Sequence, residues 1–148
     1  MALSSVLILH GPNLNLLGTR ESHIYGTTTL AEIVDAVRAE ATVHGVSVVD
    51  VQSQSEADLV NAIHSARGTH DAIIINAGAF THYSWALHDA LRSYPGHAVE
   101  VHLSNPGARE EFRHVSVLAP VVAGTISGFG ADGYLLALSA LLRLRSAS

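Results

Sequence analysis

The sequence VLILHGPNLNLLGTRESHIYG, residues 6–26, joins a short apolar run to a long polar segment. Residues 6–9 are all aliphatic, which is typical of a strand buried on both faces of a parallel sheet. The next seventeen residues, 10–26, are far more than the roughly two to six that usually connect elements. Among its glycines, this segment carries the polar or reactive side chains of Asn13, Asn15, Arg20 and Tyr25. A long polar connection after a buried strand predicts a functional loop, and its glycines allow it to turn and move.

The composition limits both the fold and the chemistry. A length of 148 residues predicts one domain, residues 1–148, with a single core. The sequence has no cysteine, and all eight basic residues are arginine, so it has no lysine either. Without cysteine, disulfides, zinc–thiolate sites and cysteine nucleophiles are excluded, and we expect a cytoplasmic protein or one that is indifferent to the redox state of its compartment. Without lysine, Schiff-base catalysis, pyridoxal-phosphate chemistry and the phosphate-binding P-loop are excluded.

Charge and hydrophobicity indicate the kinds of partner. The formal net charge is −5 and no basic cluster occurs, so we expect no nucleic-acid partner. The N-terminus lacks a signal-peptide pattern and no apolar stretch is long enough to span a bilayer, so we expect no membrane partner. With 48% hydrophobic and 14% charged residues, the chain is apolar for its size. This surplus indicates subunit interfaces or, alternatively, a single tightly packed core.

Apolar strand patterns alternate with helix patterns along the chain. The predicted strands cover residues 5–10, 46–52, 71–76, 98–103 and 121–126. Strict alternation of strands and helices predicts a parallel sheet with helices on both faces. We therefore predict an α/β fold of the flavodoxin-like type, a three-layer sandwich whose five-stranded parallel sheet has the order 2-1-3-4-5.

Helix signals fall between the predicted strands. Thr29 and Glu32 form a capping-box pattern at the start of the first helix, in which each side chain satisfies a backbone N–H of the other residue. The last helix is leucine-rich on nearly all sides, so we predict that it is buried. The further boundaries are Gly45 at the end of the first helix, Ser55 and Gly68 around the second, residues 85–93 for the third and residues 133–145 for the last.

Polar residues collect where the predicted strands end. In parallel sheets, ligands bind beyond the carboxyl ends of the strands. Four of the five strand ends carry hydrogen-bonding side chains, in the segments HGPN (10–13), QS (52–53), NAG (76–78) and HLSN (102–105). The sequence therefore predicts one site at one edge of the sheet.

Glu100 and His102 stand two residues apart in the fourth predicted strand, so both project from the same face. An unpaired acid in an otherwise apolar strand would cost stability. When paired, Glu100 would orient the imidazole and favour its protonated form. The alternative is that both residues belong to the polar face of an edge strand.

Two further pairs of residues are candidates for the same site. Arg20 shares the long loop with Tyr25, where a guanidinium would favour the negative charge that a tyrosine needs to act as a base. Each of these two residues alone is also ordinary on a surface. Asn13 and Asn76 end neighbouring strands and can donate amide hydrogens to a developing oxyanion, although asparagine is also a common turn residue.

His82, Arg109 and Arg113 are weaker candidates. His82 follows the third predicted strand but is one of ten histidines. Arg109 and Arg113 can clamp a carboxylate, or they can simply pair with Glu110 and Glu111. No two histidines have helical zinc-site spacing around a glutamate, and the acid–histidine pair in the fourth strand supplies only two ligands, so we predict no metal site.

Five ordered blocks give the chain a resemblance to a known family. They are GPNLNLLGTR (11–20), YG (25–26), INAGAFTH (75–82), HLSN (102–105) and REEFRH (109–114). Through these blocks, and over residues 6–138, the chain resembles the type II 3-dehydroquinate dehydratases of the shikimate pathway of aromatic amino-acid biosynthesis. The resemblance implies a reversible dehydration of 3-dehydroquinate to 3-dehydroshikimate without metal, cofactor or covalent intermediate.

The resemblance also implies a role for each catalytic residue. Tyr25 would be the base that removes a proton next to the ketone, and Arg20 would help it to ionise. Asn13, with a bound water, would stabilise the enolate that results. His102, oriented by Glu100, would protonate the departing hydroxyl as the general acid.

Substrate binding and assembly follow from the same resemblance. A lid over residues 19–26 would close over the substrate, and Asp89 would reach the site of a neighbouring subunit in a homo-oligomer, a dodecamer built from trimers. Hydroxyl and carboxylate groups of the substrate would be bound by Asn76, His82, Leu103, Ser104 and Arg113. The chain departs from the common pattern at Gln54, Ala57, Phe80, Tyr83, Trp85, Pro106 and Gly107. None of these departures removes a residue assigned to the chemistry.

Two interpretations from other classes stay open at the level of sequence. A non-catalytic flavodoxin-like binding or signalling module would share the fold. Phospho-receiver domains of this kind have an acidic residue after the third strand and a lysine, whereas this chain has Asn76 there and no lysine. A metal-assisted lyase or hydrolase would instead show turnover that is sensitive to chelators.

Overall fold

The computed structural model describes residues 2–19 and 21–147. Within this part of the chain, five strands form one parallel sheet in the order β2-β1-β3-β4-β5. The strands are β1 (Ser5–His10), β2 (Ser47–Gln52), β3 (Ala72–Asn76), β4 (His97–His102) and β5 (Gly124–Ser127). The predicted flavodoxin-like α/β fold and its strand order are confirmed.

Helices lie between the strands and after the last one. They are α1 (Ser22–Tyr25), α2 (Leu30–Val43), α3 (Glu56–Ala66), α4 (Trp85–Ser93) and α5 (Asp132–Ala147). The capping box predicted for α2 is present, because the Thr29 hydroxyl accepts from the Glu32 N–H and Glu32 Oε1 accepts from the Thr29 N–H, both at 3.2 Å. Ser55 caps α3 through a side-chain oxygen that accepts from the Asp58 N–H.

The sheet separates two apolar cores. On one face, Ile8 and Ile74 pack against α2 and α5. On the other face, Leu9 and Ile75 pack against α3 and α4. Each of these fully buried side chains stabilises the fold by about 1.5–3 kcal/mol relative to an exposed one. Because helices cover both faces, the central strands are aliphatic until their last residues, where the polar side chains begin.

The predicted start of the fifth strand is wrong. Ala119–Val121 form a 3₁₀ turn, and β5 begins only at Gly124. Pro120 in this turn has no N–H to donate to a neighbouring strand, which favours the turn over a ladder. The other four predicted strands agree with the structure within one residue at each end.

The prediction that the last helix is buried on nearly all sides is also wrong. Leu136 is 45% exposed and Leu144 is 36% exposed, because α5 covers the sheet and α2 with one side only. The helix therefore presents an apolar stripe on its outer side. No helix in residues 2–19 and 21–147 is both long and apolar enough to cross a membrane.

The segments predicted as loops contain short helical turns. The segment after β1 holds a 3₁₀ turn at Leu14–Leu16 as well as α1. A 3₁₀ turn at Gly78–His82 follows β3, and two more, Pro106–Ala108 and Glu111–Arg113, follow β4. These turns bond part of the backbone locally, which fixes the direction of the side chains that they carry.

The ends of β1 and β3 approach each other closely at Gly11. The Gly11 N–H donates to the Asn76 carbonyl oxygen at 2.7 Å. A Cβ atom on Gly11 would lie 2.2 Å from the Ala77 carbonyl oxygen, a distance at which the backbone must move. Glycine is therefore required here, and its close approach brings the segment after β1 beside the end of β3.

We predict that Gly11→Ala lowers the free energy of unfolding by about 2–3 kcal/mol, because overpacking of a close contact costs roughly 1–3 kcal/mol. The matched control is Gly124→Ala in β5, where a new Cβ atom meets nothing within 4 Å. Urea unfolding followed by circular dichroism measures both variants. Equal unfolding midpoints for the two would contradict this account of Gly11.

Candidate active site

A cleft opens at the carboxyl ends of β1, β3 and β4. It is lined by Pro12, Asn13, Leu14, Tyr25, Asn76, Gly78, Ala79, His82, His102, Leu103, Ser104, Pro106, Arg109 and Arg113. The strand ends contribute the central side chains, the segment after β1 contributes Tyr25, and the turns after β4 contribute the arginines. The cleft therefore lies at the edge of the sheet where the sequence predicts a site.

Most of the predicted site residues meet in this cleft. Eight of them line it: Asn13, Tyr25, Asn76, His82, His102, Leu103, Ser104 and Arg113. Glu100 lies directly behind His102 and is fully buried. Asp89 does not line this cleft and is exposed on α4. Arg20 lies outside the described residues, so its pairing with Tyr25 stays a prediction.

Glu100 and His102 are in direct contact. Glu100 Oε2 lies 2.6 Å from His102 Nε2. Because β4 runs between β3 and β5, the alternative that these residues mark a polar edge strand is wrong. The proton on Nε2 lies between the ring and the carboxylate, so Nδ1 is the ring nitrogen left to face the cleft. The His102 side chain is 11% exposed, which means that protein atoms hold the ring on nearly all sides.

Three hydroxyl groups complete the surroundings of the Glu100 carboxylate. The Ser116 hydroxyl lies 2.9 and 2.8 Å from the two oxygens, the Thr81 hydroxyl donates to Oε2, and the Thr125 hydroxyl lies 3.4 Å from Oε1. Burial opposes the ionisation of this carboxylate. The hydrogen bond and charge of His102, together with two of the hydroxyls, outweigh burial and hold the pKa of Glu100 below its usual value.

None of these three hydroxyl residues is predicted from the sequence. Thr81 lies inside one of the family blocks, so the resemblance carried a signal for it. Ser116 and Thr125 lie outside the blocks, in segments whose patterns give no reason to select a serine or a threonine. Their role follows only from the fold, which brings both hydroxyls to one buried carboxylate.

Tyr25 meets a guanidinium other than the predicted one. Arg109 Nη1 donates to the Tyr25 oxygen at 2.9 Å, and the guanidinium carbon lies 5.1 Å from the centre of the ring. The same nitrogen lies 3.3 Å from the Ser104 hydroxyl. A positive charge at this distance stabilises negative charge on the phenol oxygen. Arg113 also lines the cleft but forms an ion pair with Glu110. The two arginines therefore have different partners, since Arg109 binds the Tyr25 oxygen.

Gln54, one of the departures from the family pattern, supports the segment after β1. The Asn13 N–H donates to Gln54 Oε1 at 2.8 Å, and Gln54 Nε2 donates to Asn15 Oδ1 at 2.8 Å. Asn13 has a φ of 69°, in the left-handed region that asparagine tolerates better than most residues. Asn13 is therefore a turn residue, and its side chain nevertheless stands at the cleft.

Asn76 and His82 are each fixed on one side by the protein. Asn76 is 3% exposed, and its Oδ1 accepts from the Gly78 N–H at 3.2 Å. His82 Nδ1 lies 2.8 Å from the Val115 carbonyl oxygen, which can only accept, so Nδ1 carries a proton and Nε2 is left for a ligand. Both side chains are thus oriented before a ligand binds.

The described side chains of the cleft supply acid–base groups. A phenol bound to a guanidinium and an imidazole bound to a carboxylate open onto one space. Among residues 2–19 and 21–147, no three histidine, cysteine, aspartate or glutamate side chains are grouped so that they could hold a metal ion.

The strand order and this cleft define an α/β protein of the flavodoxin-like fold with a site suited to proton transfer. The sequence model of the family described as dehydroquinase class II matches residues 4–142, which is nearly the whole chain. The chain therefore belongs to the class II dehydroquinase family. The resemblance drawn from the five sequence blocks is confirmed.

Similar proteins agree with this assignment over nearly their full length. A 3-dehydroquinate dehydratase of Ruegeria pomeroyi is 58% identical over 139 residues, 94% of this chain and 93% of that protein. A protein of the same name from Desulforudis audaxviator is 56% identical over 141 residues, 95% of this chain and 94% of that protein. The crystal structure of a type II dehydroquinase from Butyrivibrio crossotus matches with a TM-score of 0.92 and 41% identity, over 94% of this chain and 97% of that one. One from Propionibacterium acnes matches with a TM-score of 0.91 and 42% identity, over 97% and 99%.

The lowered pKa of Glu100 makes the stability of the fold depend on pH. A carboxyl group whose folded pKa lies below its usual 4.5 stabilises the fold above pH 4.5, and this contribution is lost as the pH falls through the folded value. We therefore predict that Glu100→Gln loses less stability than the unchanged protein when the pH falls from about 6 to about 3.

Urea unfolding at a series of pH values measures this difference. Glu111→Gln removes an exposed carboxylate and is the matched control, which we expect to follow the unchanged protein. The interpretation of Glu100 fails if its variant and the unchanged protein lose stability in parallel over the acid range.

Proposed function

We propose that this chain catalyses the dehydration of 3-dehydroquinate to 3-dehydroshikimate, the activity for which its relatives are named. The observation that carries the proposal is a single cleft that receives two acid–base pairs. One is Tyr25 with Arg109, and the other is His102 with Glu100. Elimination of water from a hydroxy ketone needs a base for the carbon-bound proton and an acid for the departing hydroxyl, and these pairs supply both.

Tyr25 acts as the base in the first step of this mechanism. As a phenolate it takes a proton from the carbon next to the ketone, and the electron pair of the broken C–H bond moves to the ketone oxygen to give an enolate. Arg109, 2.9 Å from the phenol oxygen, stabilises the phenolate. The family resemblance assigns this task to Arg20, and two guanidinium groups can share it. Asn13, with a bound water, donates to the enolate oxygen.

His102 acts as the acid in the second step. The enolate returns its electron pair to form the carbon–carbon double bond, and the bond from the neighbouring carbon to the hydroxyl breaks. Nδ1 of His102 gives a proton to the hydroxyl, which leaves as water. Glu100 keeps the ring in place and balances its positive charge before transfer. No Schiff base takes part, in agreement with a chain that has no lysine, and the mechanism uses no metal and no cofactor.

The remaining polar groups of the cleft bind the substrate. Arg113 uses Nε for its ion pair with Glu110, so its two terminal nitrogens can take the substrate carboxylate. The hydroxyl groups are bound by Asn76, His82, Leu103 and Ser104, in part through backbone amides. The segment 19–26, which carries Tyr25, closes over the bound substrate as a lid.

We also propose that residues 1–148 form one catalytic domain that works in the cytoplasm as a homo-oligomer, a dodecamer built from trimers. Asp89 is exposed on α4 and does not line the cleft of its own subunit, so its carboxylate is accessible to a neighbouring subunit, whose cleft it reaches in the proposed assembly. Trp85 is 62% exposed on the same helix, and Phe129 and Leu136 are 64% and 45% exposed elsewhere. Subunit contacts would cover these large apolar side chains. A chain without cysteine suits a reducing compartment.

An assay with 3-dehydroquinate tests the activity directly. We expect the purified protein to produce the ultraviolet absorbance of a conjugated enone, at a rate that neither EDTA nor borohydride changes. A type I dehydroquinase, which uses a Schiff-base lysine, is the control that borohydride should inactivate. Loss of turnover in EDTA would favour a metal-assisted lyase, and tight flavin binding or phosphotransfer without turnover would favour a binding or signalling module.

Tyr25→Phe tests the assignment of the base. We expect kcat to fall about 100- to 10,000-fold, the usual contribution of a general base, while the circular dichroism spectrum stays unchanged. Tyr83→Phe removes the same hydroxyl from a tyrosine that is 59% exposed and does not line the cleft, and we expect it to keep its activity. Turnover of Tyr25→Phe within a few fold of the unchanged protein would exclude Tyr25 as the base.

A further inference from the structure

Besides the residues around Glu100, a second chain of buried polar side chains lies beneath the cleft, on the face of the sheet that α5 covers. His10, the last residue of β1, and Tyr134, in the first turn of α5, are both fully buried. His10 Nδ1 lies 3.3 Å from the Tyr134 oxygen, and the centres of the two rings are 5.7 Å apart. The proposed mechanism gives a role to neither residue, although both adjoin its site.

Asp50 on β2 stands at the far end of this chain. Its Oδ2 lies 3.3 Å from His10 Nε2, an approach too bent for a well-aligned hydrogen bond, and its Oδ1 lies 3.6 Å from Nη2 of the half-exposed Arg38. Burial lowers the pKa of His10 to about 4, although the charge of Asp50 opposes the shift. The ring is therefore neutral at pH 7. Its single proton belongs on Nε2, where the carboxylate attracts it.

Asn76 stands at the near end, in the wall of the cleft. Asn76 is the register partner of His10 on the neighbouring strand β3, so its side chain emerges beside His10, on the face that α5 covers, and interacts with Tyr134. Its Oδ1 already accepts from the Gly78 N–H at 3.2 Å. With the His10 proton on Nε2, Nδ1 accepts from the Tyr134 O–H. A lone pair of the Tyr134 oxygen is then available to accept one N–H of the neighbouring Asn76 side chain.

We propose that Tyr134 is a positioning residue, which together with His10 holds the Asn76 carboxamide so that its second N–H faces the cleft. This N–H is a donor for a substrate oxygen. A flipped carboxamide would present its oxygen instead. It would lose its bond to the Gly78 N–H and would no longer turn an N–H towards the Tyr134 oxygen. The inference rests on the proposed function, because it concerns how the substrate of that reaction is held.

A double-mutant cycle of Tyr134→Phe and Asn76→Ala tests the inference, with kcat and KM for 3-dehydroquinate as the readout. Tyr134→Phe removes only the hydroxyl. When Asn76 is present, we expect Tyr134→Phe to lower kcat/KM about tenfold, roughly the effect of one hydrogen bond. In the Asn76→Ala background, we expect Tyr134→Phe to have no further effect on kcat/KM. A merely structural role for Tyr134 would lower the amount of active protein by the same factor in both backgrounds.

Tyr94→Phe is the matched control. Tyr94 is 6% exposed and donates its hydroxyl to the His70 carbonyl oxygen at 2.6 Å, in the core on the opposite face of the sheet. We expect this substitution to lower the melting temperature while kcat and KM of the folded protein stay the same. If Tyr134→Phe does not fold, His10→Leu, which removes the acceptor of the Tyr134 hydroxyl, replaces it in the same cycle.

The possible results separate this inference from the proposed function. Unchanged kcat/KM in Tyr134→Phe, or an equal fall in both backgrounds, overturns the inference and leaves the proposed function intact. If neither Tyr134→Phe nor His10→Leu folds, these buried polar side chains serve the stability of the fold, and the inference is likewise overturned. Absence of turnover in the unchanged protein overturns the proposed function, and the inference with it.

Discussion

The buried carboxylate of Glu100 is the constraint on which the rest of the site depends. A charge without solvent in the middle of a sheet costs on the order of several kcal/mol unless it is well paired. Here four donors surround it, from His102 on the same strand, Thr81 after β3, Ser116 in the segment before β5, and Thr125 on β5. Because these donors belong to different elements, the carboxylate fixes the His102 ring relative to the whole sheet edge and not only to its own strand.

The site draws on both faces of the sheet. Val99 and Val101 belong to the core beneath α2 and α5. Because side chains alternate along β4, Glu100 and His102 project from the other face, which α3 and α4 cover. Asn76 projects from the face beneath α5, because its neighbour Ile75 on β3 belongs to the core beneath α3 and α4. The cleft lies beyond the strand ends, where side chains from both faces can reach the same space. A one-residue slip in strand register would send these polar groups into the wrong cores, so the register that packs the core also assembles the site.

The parts of this protein that the sequence predicts are those encoded by local patterns. Alternation places Glu100 and His102 on one face whatever lies around them, and capping residues mark helix starts without knowledge of the tertiary fold. The contact of Tyr25 with Arg109 joins residues 84 positions apart, and that of His10 with Tyr134 joins residues 124 apart. No periodicity links such pairs, because they meet only after the turns beyond the strands have folded back over the sheet edge. The prediction that α5 is buried on nearly all sides is wrong for a related reason, since leucines that face solvent give the same sequence pattern as leucines that face a core.

The two reactive groups of the cleft differ in what holds them. His102 is part of an interior strand, and its ring is nearly enclosed. Tyr25 ends a helix of four residues that lies between Glu21 and Gly26, both of which have positive φ, 30° and 82°. A non-glycine residue in that region carries strain of roughly 1–3 kcal/mol, so such a short helix depends on contacts such as the one from Arg109 to keep its place. In the proposed reaction this difference is useful. The acid, His102, keeps a fixed position. The base, Tyr25, becomes effective only when its segment packs against Arg109 and covers a bound substrate, which excludes water.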